Sequence, residues 1–130
     1  MTRVAVLILH APAGSGAGPL ARAFAAIRLG NAKRQAAGFR AAGADDVRID
    51  DAPLGPDGFA GRLRTAAAGL GAAGLVVLGS GSIPLATAAD RRAFVAVAGG
   101  PAGRALVNNR YSADVVAVAD AGSALAGIPA

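Results

Sequence analysis

The feature that most constrains this chain is the run from Val4 to Leu9, VAVLIL, which passes directly into the turn-forming stretch APAGSGAGP at residues 11–19. Six apolar residues without polar alternation are the pattern of a strand covered on both faces, as in a parallel sheet. The run is too short to be a signal-peptide core and far too short to span a bilayer. Two later stretches, GLVVLG at residues 74–79 and ADVVAVA at residues 113–119, have the same strand length and character. No membrane segment is expected.

Between these runs the pattern changes to a helical one. Pro19 suits the first turn of a helix over residues 20–42, in which Leu20, Phe24, Ile27 and Leu29 recur at helical spacing. Arg22, Arg28, Lys33, Arg34 and Arg40 supply its polar face, and Gly30 is a point of bending. Gly43 reads as the residue just past the helix end, and DVRID at residues 46–50 as a short edge strand. A second amphipathic helix is expected over residues 59–70 with Arg62 and Arg64 outward. Thr87 and Asp90 resemble a capping box opening a third helix to about residue 98. A short strand at residues 104–107 precedes the polar segment NNRYS, and the tail from residue 120 has little pattern. Strands alternating with helices predict one α/β domain over residues 1–130: three-layer and Rossmann-like, with a mostly parallel sheet of four or five strands flanked by helices. Ligands of such sheets bind beyond the carboxyl ends of the strands, where the loops at Gly14 and Gly79 are both expected.

Composition narrows the chemistry. The chain has no cysteine and a single histidine, which removes disulfide frameworks, thiolate zinc sites and His-rich metal sites and fits a reducing, cytoplasmic compartment. The net charge of +5 favours anionic partners such as nucleotides and phosphates. The basic residues are scattered, however, and aromatics make up only 4% of the chain. The stacking platforms of single-strand nucleic-acid binders are therefore not available in number, which argues against a nucleic-acid partner.

Two loops carry the candidate site. Gly14, Ser15, Gly16, Ala17 and Gly18 stand between a strand and a helix, a context in which successive backbone N–H groups and the helix dipole cradle a phosphate. The stretch lacks both the third glycine of the dinucleotide fingerprint and the Gly-Lys-Ser/Thr ending of a P-loop. In GSGSIPLAT at residues 79–87, the small hydroxyl residues Ser80 and Ser82 lie between glycines at a strand end and allow close approach of a ligand. Asn109, Arg110 and Ser112 belong to a segment that concentrates hydrogen-bonding groups, as an anchored loop with an Asx turn would. His10 reads as a hydrogen-bonded strand-end residue with no identifiable Ser or Asp partner, and no catalytic residue is named.

The strand-one glycine loop, the segment AAGADDVRI and the strand running into SIPLAT together resemble the amino-terminal part of the GT-A-type nucleotidyltransferases. This is the nucleoside-diphospho-sugar transferase fold that includes guanylyl- and cytidylyltransferases. The resemblance covers residues 3–119. It implies that the first loop holds a nucleotide's phosphates, that Arg22 or Lys33 faces them, and that Mg²⁺ is bound by an aspartate after the central strand. That position is Ser82 here, a poor replacement for a carboxylate on a hard cation; Asp114, before the last strand, is a separate candidate metal ligand. The expectation is a nucleotidyltransferase-like domain binding a nucleotide or phosphorylated small molecule through Gly14, Ser15, Gly16, Gly18, Arg22, Ser80, Ser82, Asn109 and Arg110. Mg²⁺-dependent transfer is then weakened or lost, and the chain is shortened at its carboxyl end relative to the family. The alternative is a non-catalytic Rossmann-like binding or assembly module whose Ala-rich helices pack against a partner subunit, including a homo-oligomer.

Overall fold

The computed structural model describes residues 2–53, 55–71, 73–109 and 114–126. The elements follow in the order β1 (Val4–Leu9), α1 (Pro19–Ala41), β2 (Asp46–Asp50), α2 (Gly58–Leu70), β3 (Gly74–Gly79), α3 (Ala88–Ala98), β4 (Ala105–Val107), β5 (Val115–Val118) and α4 (Ala121–Ala126). The tail after residue 120 therefore holds a helix where little pattern was expected.

The five strands form one sheet in the order β2-β1-β3-β5-β4. β1 lies parallel to β2 on one side and to β3 on the other, with Leu9 opposite Asp50 and Gly79 at the shared carboxyl edge. The other two pairings, β3 with β5 and β5 with β4, are antiparallel. The sheet is thus mixed, and the expectation of a mostly parallel sheet is corrected. The cause is local: only residues 108–114 join β4 to β5, too few for the crossover that a parallel pair needs, so the chain turns back on itself. Asn108 closes this turn, its Oδ1 accepting the backbone N–H groups of Asp114 at 2.9 Å and Val115 at 3.1 Å.

Because side chains alternate across a strand, the two faces of the sheet collect separate cores. Val4, Val6, Ile8, Val76, Leu78, Val115 and Ala117 pack against Ala32, Ala36 and Phe39 of α1 and Phe94 and Ala98 of α3. Ala5, Leu7 and Leu75 pack on the opposite face against Leu63 and Leu70 of α2 and Ala121 of α4. Gly74 makes the first of these packings possible, since a Cβ there would run into the carbonyl of Ala98.

Three helix expectations are met in detail. Pro19 occupies the first turn of α1, Gly43 follows its end at φ +104°, and Thr87 and Asp90 form the reciprocal capping box of α3. The Thr87 N–H donates to the Asp90 carboxylate at 2.8 Å and the Asp90 N–H to Thr87 Oγ1 at 3.1 Å. These contacts, the backbone N–H first, hold the Asp90 carboxyl below its usual pKa.

Three others are corrected. α1 runs through Gly30 without interruption. Arg62 does not point outward: its guanidinium folds back to Asp50, 3.3 Å from the carboxylate and 2.8 Å from the carbonyl. Leu20, Phe24 and Ile27, expected on the inward face of α1, are 68%, 53% and 67% exposed. The reason is length. A helix of 23 residues extends about 34 Å and a six-residue strand about 20 Å, so α1 overruns the sheet. Apart from Ala25, its buried residues all come from Asn31 onward.

Candidate functional site

The carboxyl edge of the parallel strands is where α1 begins and where the loops after β1 and β3 emerge. Ser80 N–H donates to the Leu9 carbonyl at 2.8 Å, and His10 N–H to the Asp50 carbonyl at 2.8 Å, so the three strand ends are stitched together as the sheet stops. The loop after β1 closes on itself through Ala17 N–H to the Gly14 carbonyl at 3.0 Å. Gly14, Gly16 and Gly18 all face open space. Gly18 is the N-cap of α1, with no side chain capping it and no acidic residue in the first turn. That end of the helix therefore presents backbone N–H groups and positive dipole together.

Two guanidinium groups border this edge. Arg22 donates to the Ala17 carbonyl at 2.7 Å, and Arg28 donates to the Ala11 carbonyl at 3.2 Å. The Arg28 stem also lies over the Gly81 backbone, close enough that a Cβ on Gly81 would press against it. Arg28 thus touches both loops. Lys33, by contrast, is exposed and more than three turns into α1.

The loop of residues 79–87 is held from α1 by two buried side chains that the sequence reading passed over. Asn31 Nδ2 donates to the carbonyls of Ser80 at 2.7 Å and Ser82 at 3.1 Å. One helical turn on, Gln35 Nε2 donates to the Ile83 carbonyl at 2.7 Å, while its Oε1 accepts from Arg91 Nε at 2.8 Å. Their signal in the sequence is two amides at i and i+4 on the stripe otherwise occupied by Ala32, Ala36 and Phe39. Polar groups on a core-facing stripe need partners, and loop carbonyls freed from the sheet ladder are the partners that a strand end provides.

The hydroxyls of this loop are structural in the observed geometry. Ser82 Oγ accepts the Gly79 N–H at 3.2 Å, closing a tight turn. Ser80 Oγ lies 2.9 Å from His10 Nδ1, a serine–histidine contact that the sequence did not reveal. Both residues are 4% exposed, so the pair ties the ends of β1 and β3 together and is not presented to a substrate.

Asp114 stands at the start of antiparallel β5, which brings it to the edge where β3 ends. It lines the same cavity as Gly79 and Ser82. Among the described residues no three Asp, Glu, His or Cys side chains gather into a metal-ligating group. One carboxylate beside an engaged serine hydroxyl is a poor donor set for a protein-held Mg²⁺, which prefers near-octahedral oxygen coordination. Asn109 follows the turn residue Asn108 and is exposed, whereas Arg110, Tyr111 and Ser112 lie outside the described residues.

No family model, curated protein or solved structure matches this chain. Among the described residues no helix is long and apolar enough to cross a membrane.

Proposed function

We propose that the protein binds a nucleotide or sugar phosphate at the carboxyl edge of β1 and β3, in a Rossmann-like, nucleotidyltransferase-like arrangement. The observation that carries this reading is the meeting of the two glycine-rich loops on adjacent parallel strands, at the uncapped start of α1, with Arg22 and Arg28 beside them. Phosphate oxygens would accept hydrogen bonds from the backbone N–H groups of Ser15, Gly16 and Gly18 and from the first turn of α1. The two guanidinium groups would balance the charge. Gly81 and Ser82 would shape the opposite wall, with Ser80 buried behind them, and small residues there let a sugar or base approach the backbone. A divalent cation enters only as a counter-ion of the bound phosphates, and no transfer step is assigned to the chain's own residues.

A thermal-shift series with GTP, CTP, ATP and UTP, each with and without Mg²⁺, tests the reading, with inorganic tripolyphosphate as the control. Stabilisation by one nucleotide beyond that from tripolyphosphate, reduced in an Arg28→Gln variant, is the expected result. Equal shifts from all five anions would reduce the site to non-specific anion binding, and no shift would remove it.

One observation favours a second reading, an assembly module. Leu20, Phe24 and Ile27 form an exposed apolar stripe at helical spacing along the overhanging half of α1. A row of large apolar side chains of this kind marks a partner surface more often than an isolated exposed leucine does.

A further inference from the structure

β3 and β5 have the continuous apolar sequences of strands covered on both faces, yet only one face of them is closed along its whole length. Val76, Leu78, Val115 and Ala117 are buried beneath α1 and α3. Their neighbours Val77 and Val116, with Leu9 of β1, point to the other face and remain only half-buried. There they floor an open cavity of about 540 Å³, walled by Phe59 and Leu63 of α2. This volume is within the ordinary range of small-molecule sites, about 300–1,000 Å³.

The cavity is apolar along its length and polar at one end. Ser82 and Asp114 stand at that end, and among the described residues lining the cavity Asp114 alone is charged. The backbone N–H of Asp114 is taken by Asn108 Oδ1 at 2.9 Å, but its carboxylate meets the Asn108 side-chain amide only at 3.5 Å. A carboxylate at the rim of an apolar cavity selects a cationic head over an anionic one. The half-exposed Phe59 ring offers a face for an aromatic body.

We propose that this cavity binds a small primary amine carrying an aryl or branched-alkyl body. The body lies on Leu9, Val77 and Val116 against Phe59, and the ammonium group pairs with Asp114. The site occupies the opposite face of the sheet from α1 and meets the proposed nucleotide site only at Gly79 and Ser82.

Methyl-resolved NMR titration of the full chain with 2-phenylethylamine, 2-phenylethanol and 3-phenylpropionate tests the assignment. The expected result is saturable shifts of the Leu9, Val77 and Val116 methyls, with the amine binding about two- to five-fold more tightly than the alcohol, as one exposed ion pair supplies. In an Asp114→Asn variant that preference disappears while alcohol binding is retained. A Val116→Arg variant, which fills the cavity and adds a cation, abolishes amine binding even if Asp114→Asn fails to fold. The methyls of Ile8 and Val76 on the opposite face report that each variant is folded. The proposal is overturned if no ligand gives saturable shifts at these methyls, if the amine shows no preference over the alcohol, or if the preference survives in Asp114→Asn. It is also overturned if the cavity methyls respond to protein concentration alone, which would make a second copy of the chain the occupant.

Discussion

Gln35 of α1 donates to the carbonyl of Ile83 at 2.7 Å, across 48 residues of sequence, and so holds a β-branched residue at φ +41°. A positive φ is disfavoured for isoleucine, whose branched side chain crowds the backbone there. Such a conformation persists only where its surroundings impose it. Here the imposing group is an amide that is fully buried and bonded on both sides, to Ile83 by its nitrogen and to Arg91 by its oxygen. The shape of the loop at residues 79–87 is therefore set by α1 as much as by its own glycines and proline.

Replacing Gln35 by methionine keeps the volume but leaves Arg91 Nε without its partner and the Ile83 carbonyl with the Ala86 N–H alone. The expected loss is about 1–3 kcal/mol of unfolding free energy, the usual cost of stranding buried polar groups. Urea denaturation measures it. Faster amide hydrogen exchange at Ala86, whose N–H is bonded to the Ile83 carbonyl at 3.0 Å, would place the loosening in this loop. Unchanged exchange there would show that the loop holds its own conformation.

Ser80→Ala removes the hydroxyl beside His10 Nδ1 and leaves a buried imidazole nitrogen without that contact. The same order of destabilisation, about 1–3 kcal/mol, is expected. Nucleotide-dependent thermal stabilisation should persist once the lower baseline is subtracted, because the hydroxyl faces inward. Complete loss of that stabilisation in a folded variant would instead make Ser80 a ligand contact.

The Asp90 carboxyl is held below its ordinary pKa by the capping box, so it is more acidic in the folded chain than in the unfolded one. Its contribution is therefore present above the unfolded pKa and is lost as pH falls through the folded value. Wild-type protein should lose more stability than Asp90→Asn between about pH 5 and about pH 2, as followed by chemical denaturation at each pH. Parallel pH profiles would show that the box contributes no proton linkage. Thr87→Ala should cost about 1 kcal/mol at neutral pH through loss of the N-cap.

The stripe of Leu20, Phe24 and Ile27 makes a prediction about association. If it is a subunit contact, sedimentation of the wild-type chain depends on concentration and a Phe24→Ser/Ile27→Ser variant sediments as a monomer. The substitutions lie on the overhanging half of α1 and should leave the fold intact by circular dichroism. Monomeric behaviour of the wild type at all concentrations would remove the assembly reading for this surface.

The positions of the elements were legible in the sequence because they depend on local patterns. Apolar runs marked β1 and β3, helical spacing and Pro19 marked α1, and Thr87 with Asp90 announced the start of α3. The arrival of the Gly14 and Gly79 loops at one edge also followed from the alternation of strands and helices. The direction of β5 did not, because it depends on which strand occupies the space beside β3, a choice made by the short connection through Asn108. Nor did the clamp of Asn31 and Gln35, the pairing of His10 with Ser80 or the outward turn of Phe24. Each depends on what lies opposite a residue, between 48 and 70 positions away or in no place at all once α1 has overrun the sheet. Local periodicity states which residues share a face. Only the assembled sheet decides what that face meets.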